Sequence, residues 1–149
     1  MRSIDELRRS GVSIEPDRTI SDAAIVMEQS GVGSLAIVDS VELVGIVTDR
    51  DLVRRGLAKG LSTDSSVDEV MSSPVVTIDS EADLDAAFVL FRTHRLRRLA
   101  VLAGNRFVGM ITVDDLIVDL SADLQDLTRP IANEVLFPDS DEPQPAPAS

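Results

Sequence analysis

The chain has 149 residues, 44% of them apolar and only 3% aromatic, and a formal net charge of −12. That length suits one compact domain or two small subunits packed together, with a core of Val, Ile, Leu and Ala. The acidic balance excludes non-specific attraction to nucleic acid or an anionic membrane, both of which select basic surfaces. Cysteine is absent and His94 is the single histidine, so disulfides, thiolate metal sites and His-rich metal sites are excluded too.

In chain order, residues 4–7 make a short segment ahead of an extended lead-in at residues 11–15. Thr19 is placed to cap a helix whose apolar positions Ile20, Ala23, Ala24 and Met27 follow the i, i+3, i+4, i+7 spacing of one helical face. Gly31 and Gly33 stop it. Residues 35–38 read as a short buried strand, Asp39-Ser40 as a turn, and residues 43–47 as the hairpin partner. A second helix is expected over residues 49–58. A linker at residues 60–66 leads to a helical turn at residues 67–71, the counterpart of residues 4–7, which Pro74 ends.

The order then repeats. Asp83 caps a helix with Leu84, Ala87, Phe88 and Phe91 on one face, strands are expected over residues 99–102 and 107–111 around the turn Gly104-Asn105, and a last helix runs from Val113 to about Leu127. No stretch reaches the ~18 apolar residues that a membrane span needs. The N-terminus lacks the apolar centre of a signal peptide, so a cytoplasmic location is expected.

The repetition is also visible residue by residue. Gly45-Ile46-Val47-Thr48-Asp49-Arg50-Asp51-Leu52 and Gly109-Met110-Ile111-Thr112-Val113-Asp114-Asp115-Leu116 share one pattern at an offset of 64. The same offset places Val12 on Val76, Ile14 on Ile78, Leu35-Ala36 on Leu99-Ala100 and Val44 on Val108. Two small units of this kind bury their apolar faces by packing on each other. The expected division is repeat one at residues 1–60, a linker at 61–66, repeat two at 67–130, and an acidic, Pro-rich tail at 131–149 that is expected to be disordered.

Each Thr and Asp pair, Thr48 with Asp51 and Thr112 with Asp115, falls where a strand becomes a helix. One reading is a capping box, in which Thr accepts from the N3 amide and Asp answers the N-cap amide. The other reading is a ligand site. Helix N-terminal amides favour an anion, a Thr hydroxyl can donate to phosphate, and an Asp one turn on can accept both ribose hydroxyls. A Gly at the strand would then admit the close approach of a ligand. The two readings are compatible.

The repeated Gly-apolar-apolar-Thr-x-x-Asp, preceded by a β-α-β unit and a hairpin, resembles the CBS domain, and two in tandem resemble a Bateman module. Residues 71–78, Met-Ser-Ser-Pro-Val-Val-Thr-Ile, are similar to the family's entry segment. The resemblance implies an α/β (α+β) fold of two β-α-β-β-α repeats with pseudo-two-fold symmetry. It also implies a regulatory ligand containing adenosine (AMP, ADP, ATP or S-adenosylmethionine) bound in clefts between the repeats. On that basis Asp51 and Asp115 hold the ribose, Thr48 and Thr112 supply hydroxyls, Ile14 and Ile78 lie near the base, and Arg97 and Arg98 contact phosphate. Arg50 is a weaker phosphate candidate, and Ser34 stands where the second copy has Arg98. Ala36 and Ala100 replace the Pro usual after the Leu of the middle strand.

No nucleophile–base pair is found, so no enzyme is expected, and no cofactor or metal is required. The module would act through an unidentified protein partner or through its own homodimer, with Ile25, Val26 and Leu90 widening a helical face. A structural or interaction module that dimerises without nucleotide is the alternative. With Gly33-Ser34 in place of Arg97-Arg98, the first repeat's own cleft is expected to favour AMP or a nucleoside over ATP.

Overall fold

The computed structural model describes residues 3–135, with side chains for residues 3–128. The elements are α1 (Ile4–Leu7), β1 (Ser13–Ile14), α2 (Ile20–Ser30), β2 (Ser34–Asp39), β3 (Glu42–Thr48) and α3 (Asp49–Asp51). After a 3-10 turn at Val67–Glu69 come β4 (Thr77–Asp79), α4 (Leu84–His94), β5 (Arg98–Ala103), β6 (Arg106–Thr112) and α5 (Val113–Val135). The expected order of elements is therefore present twice. The expectation for residues 136–149 of the tail lies outside the described residues. Residues 131–135, which the sequence assigns to that tail, continue α5 instead.

Two three-stranded sheets, β1-β2-β3 and β4-β5-β6, carry the fold. In each, the first strand is parallel to the second and the hairpin is antiparallel, with Ser34 opposite Thr48 and Arg98 opposite Thr112. Even the irregularities correspond, since the register shifts at Ile37/Val38 and again at Val101/Leu102.

The helices start where the caps predict. Thr19 and Asp22 form a reciprocal capping box on α2, and Asp83 accepts from the Ala86 amide on α4. Ile20, Ala23 and Met27 are buried as the spacing requires, but Ala24 is exposed, so the buried face of α2 is narrower than expected. Gly31 ends α2 with φ 66°, and its counterpart Arg95 ends α4 in the same left-handed region with φ 53°. A side chain with a Cβ adopts that conformation at a steric cost that glycine avoids.

The two last helices differ. From α3 the chain widens into a π-helical stretch at Leu52–Gly56 and a 3-10 turn at Leu57–Lys59, whereas α5 is α-helical for 23 residues.

The cores are two clusters, mainly aliphatic but with Phe91 buried in the second, that exchange their lead-in segments. Ile4, fully buried, packs with Ile78, Leu99 and Ile111 of the second repeat, while Val67 and Val70 pack with Ile14, Leu35 and Val47 of the first. The backbone follows the same exchange. Arg9 pairs with Met110 beside β6, and Ser72 pairs with Ile46 beside β3. Each repeat thus contributes to the sheet and core of the other.

That exchange explains the motif glycines. A Cβ on Gly109 would lie 2.3 Å from the Arg9 carbonyl oxygen, and one on Gly45 would lie 2.4 Å from Met71 Sδ. What approaches these glycines is the chain's own lead-in, which replaces the expected role of admitting a ligand.

Candidate functional site

Both strand-to-helix junctions show the hydrogen bonds of a capping box. The Asp51 amide donates to Thr48 Oγ1 (3.1 Å), and the Thr48 amide donates to Asp51 Oδ2 (2.9 Å). At the second junction the Asp115 amide donates to Thr112 Oγ1 (3.1 Å), and the Thr112 amide donates to Asp115 Oδ2 (3.1 Å). In each case one carboxylate oxygen is committed to the cap, and the other decides what the junction can do.

At Asp51 the other oxygen, Oδ1, faces Arg55 Nε at 3.7 Å across one helical turn. Arg55 also donates to the Met71 carbonyl (3.2 Å), which ties this turn to the second lead-in. At Asp115 the corresponding Oδ1 accepts from Arg9 Nε at 2.9 Å. The Asp51 side chain is 18% exposed and that of Asp115 only 9%. The first carboxylate keeps an edge available, and the second is covered.

The surroundings diverge further. Thr48 lines a cavity of about 370 Å³ together with Ile46, Ser72, Val75 and the arginines Arg97 and Arg98. Arg95 lines it as well. The basic run of the second repeat therefore serves the Thr of the first, because the two-fold arrangement of the repeats brings one copy's basic run against the other copy's hydroxyl. A volume in this range suits a small organic ligand, and the lining includes both apolar side chains and cations. Arg97 donates to Asp114 Oδ1 at 3.0 Å, but both side chains are more than 70% exposed. Such a pair is worth about 1 kcal/mol at most and yields readily to a better anion.

Asp115 borders a smaller hollow of about 220 Å³, with Glu6, Arg9 and Asp119 among its lining residues. Three carboxylates and one guanidinium make it a poor place for a phosphate.

The remaining candidates are placed as follows. Ile14 and Ile78 are each 5% exposed and belong to the two cores. Neither lines the cavity beside Thr48, whose apolar wall comes from Ile46, Val75, Val76 and Leu96. Arg50 is exposed and its amide donates to Asp49 Oδ1 (2.7 Å), and it does not line that cavity. Ser34 lies opposite Thr48 on β2 and is half-buried. The sequence offers Arg95 only within the basic run His94-Arg95-Leu96-Arg97-Arg98, and Ser72 and Val75 only within the entry segment at residues 71–78.

Among the described residues no group of three or more His, Cys, Asp or Glu side chains is arranged to hold a metal ion, and no helix is long and apolar enough to cross a membrane.

Comparison with known proteins gives one family. The CBS domain profile matches residues 4–58 and again 67–122. The CBS domain-containing protein YhcV of Bacillus subtilis is 34% identical over 115 residues, covering 77% of this chain and 82% of that protein. Among solved structures, Hypoxic Response Protein I, described with two coordinated zinc ions, superposes with a TM-score of 0.71 at 28% identity over 78% of this chain and 98% of its own. The CBS domain protein PAE2072 of Pyrobaculum aerophilum, complexed with AMP, gives a TM-score of 0.72 at 24% identity, covering 85% and 99%.

Proposed function

The chain belongs to the CBS domain family, and on that premise we propose that it is a regulatory module binding an adenosine nucleotide, AMP before ATP, in the cleft between Thr48 and Arg97-Arg98. The observation that carries this reading is the shared cavity. Thr48 and Ser72 line it together with Arg95, Arg97 and Arg98 and with the apolar Val75 and Val76.

In this reading the phosphate takes charge-assisted hydrogen bonds from the arginines, and the Thr48 hydroxyl donates to it or to the ribose. Asp51, one turn into the helix, accepts from the ribose hydroxyls through Oδ1. The base lies on the apolar wall of Val75 and Val76, which replaces the part first given to Ile14 and Ile78. Arg97 leaves Asp114 on binding. The net charge of −12 disfavours each further phosphate, within the 8–10 Å over which salt leaves such repulsion effective. The AMP complex of PAE2072 supports the ligand class.

Signal output passes to a protein partner or to the dimer state, in the cytoplasm. Ile25 is 50% exposed on α2 and Val89 48% on α4, while Ile117 (53%) and Val118 (69%) are open on α5. Val26 and Leu90 turned out half-buried against the cores, so the dimer face rests on Ile25, Val89 and the α5 residues. A monomeric mass at tens of micromolar would remove the dimer from the proposal.

The deciding experiment is calorimetric titration of AMP, ATP, adenosine and S-adenosylmethionine into the wild type, Asp51→Ala and Asp115→Ala. The expected result is that AMP binds tightest, that Asp51→Ala weakens it at least tenfold, and that Asp115→Ala leaves it within a factor of two or three, as roughly one hydrogen-bonded charge predicts. If none of the four ligands gives heat or raises the melting midpoint of the folded protein, the junctions are helix caps alone and the module works through its dimer.

A further inference from the structure

The lead-in exchange puts Arg9 and Ser72 in equivalent places. Arg9 forms a two-way backbone pair with Met110, donating from its amide at 2.8 Å and accepting at 2.9 Å, and Ser72 does the same with Ile46 at 2.8 and 3.1 Å. Both therefore sit two residues before a motif Thr, on the neighbouring strand. Ser72 lines the cavity beside Thr48 and leaves it open. Arg9 instead sends its side chain to the motif carboxylate, with Nε 2.9 Å from Asp115 Oδ1. The backbone pairing on both sides fixes the start of this side chain beside Asp115.

The lead-in that bears Arg9 differs from its counterpart at a second place. Gly11, in the lead-in that bears Arg9, is covered by Phe107, whose ring carbon would lie 2.5 Å from a Cβ there. The first repeat has Leu43 where the second has Phe107. Beside Leu43 and Val75 lies a cavity of about 850 Å³.

We propose that Arg9 is an intramolecular occupant of the second cleft, holding the carboxylate that would otherwise take a ribose, so that the chain binds one nucleoside unit and keeps a second, latent site. This rests on the nucleotide-binding reading of the first cleft. Glu6 and Asp119 beside Asp115 make the latent site one for an uncharged nucleoside, not a nucleotide. Arg9 is 79% exposed, and an exposed ion pair changes an equilibrium by up to about fivefold.

The test is titration of adenosine into the full chain as wild type, Arg9→Ser and Arg9→Ser/Asp115→Ala, followed by calorimetry and by NMR shifts of the Thr48 and Thr112 methyl groups. Arg9→Ser installs the residue used at the equivalent place in the first repeat. The expected result is saturation of the Thr48 signal alone in the wild type. In Arg9→Ser a second event should appear at Thr112, about fivefold tighter than any trace in the wild type, and the double variant should lose it. A Thr112 signal that stays silent in Arg9→Ser, while Thr48 still responds, overturns the latent site alone. A Thr112 response that weakens in Arg9→Ser makes Arg9 a ligand contact and also overturns it. Silence at both threonines in all three proteins overturns this inference and the nucleotide-binding reading together. An unchanged amide spectrum outside residues 4–12 and 107–118 verifies that Arg9→Ser is folded.

Discussion

The first and second strand-to-helix junctions carry the same Thr, the same Asp and the same pair of capping hydrogen bonds, yet they are not the same site. Around Thr48 the approaching lead-in contributes a serine and the opposite repeat contributes arginines. Around Asp115 the approaching lead-in contributes an arginine that binds the carboxylate, with two further acids close by. A capping box is therefore compatible with a binding site but does not specify one. What decides is which residues the other half of the molecule brings to it, and the exchanged lead-ins control that.

The largest test of the exchange is a core truncation. Ile4 is fully buried in the second core although it lies at the start of the first repeat in sequence. Ile4→Ala should cost about 3 kcal/mol, as deletion of a buried aliphatic side chain does. The loss of amide-exchange protection should begin in β4–β6. Val67→Ala should do the reverse and open β1–β3 first, since Val67 belongs to the first core. Equal loss in both sheets from either substitution would mean that the two cores open only together.

A somewhat smaller effect separates the two motif glycines. At Gly109 an added methyl meets a backbone carbonyl that is itself paired to Met110 and cannot retreat. At Gly45 the nearest atom is the end of the Met71 side chain, and the nearest backbone oxygen, that of Ser72, is 3.1 Å away. Overpacking of this sort costs about 1–3 kcal/mol. Gly109→Ala should fall near the top of that range and Gly45→Ala near the bottom, read from paired denaturant melts. An equal cost would show that the Arg9 segment yields as easily as a methionine side chain.

These contrasts mark what a sequence of this kind can disclose. The repeat, the caps and the strand order were legible because they are local patterns written twice, and Thr19, Asp83 and Gly31 each act within a few residues of their own position. The site was half legible. Thr48 and Asp51 were found from their spacing, and Arg97 and Arg98 from the family resemblance, but the meeting of Thr48 with the two arginines in one cavity depends on a two-fold arrangement that no local pattern encodes. Ile14 and Ile78 are buried in the two cores, each the one apolar residue of its short strand β1 or β4. Arg9 carried no motif at all, and only the backbone pair with Met110 gives it a role.

The arginine side of the first cleft predicts a selectivity. Replacing Arg97 and Arg98 together with alanine removes the cations that face Thr48 but leaves the apolar wall of Val75 and Val76. AMP should weaken about tenfold, the worth of one or two charge-assisted hydrogen bonds, and adenosine should change by less than a factor of three. Equal weakening of both ligands in matched titrations would place the arginines in the scaffold and not at the phosphate.

The smallest effect distinguishes the two central helices at low pH. α2 begins with Thr19 and Asp22 in a reciprocal box, with Arg18 donating to Asp22 at 3.1 Å. α4 has only Asp83, because its N3 residue is Ala86. The Thr19 amide, then Arg18 and the Thr19 hydroxyl, hold the Asp22 carboxyl below the ordinary carboxylate value, which is about 4. A group lowered on folding stabilises the protein fully above that ordinary value, and the contribution disappears as pH falls through the lower folded value. Asp22→Asn should therefore lower the melting midpoint slightly at pH 7, and the difference between the two proteins should narrow as pH falls below the ordinary carboxylate value. A gap that persists undiminished to pH 2 would assign the loss to the geometry of the cap and not to its charge, and would make the Thr19 box no different in kind from the single cap of α4.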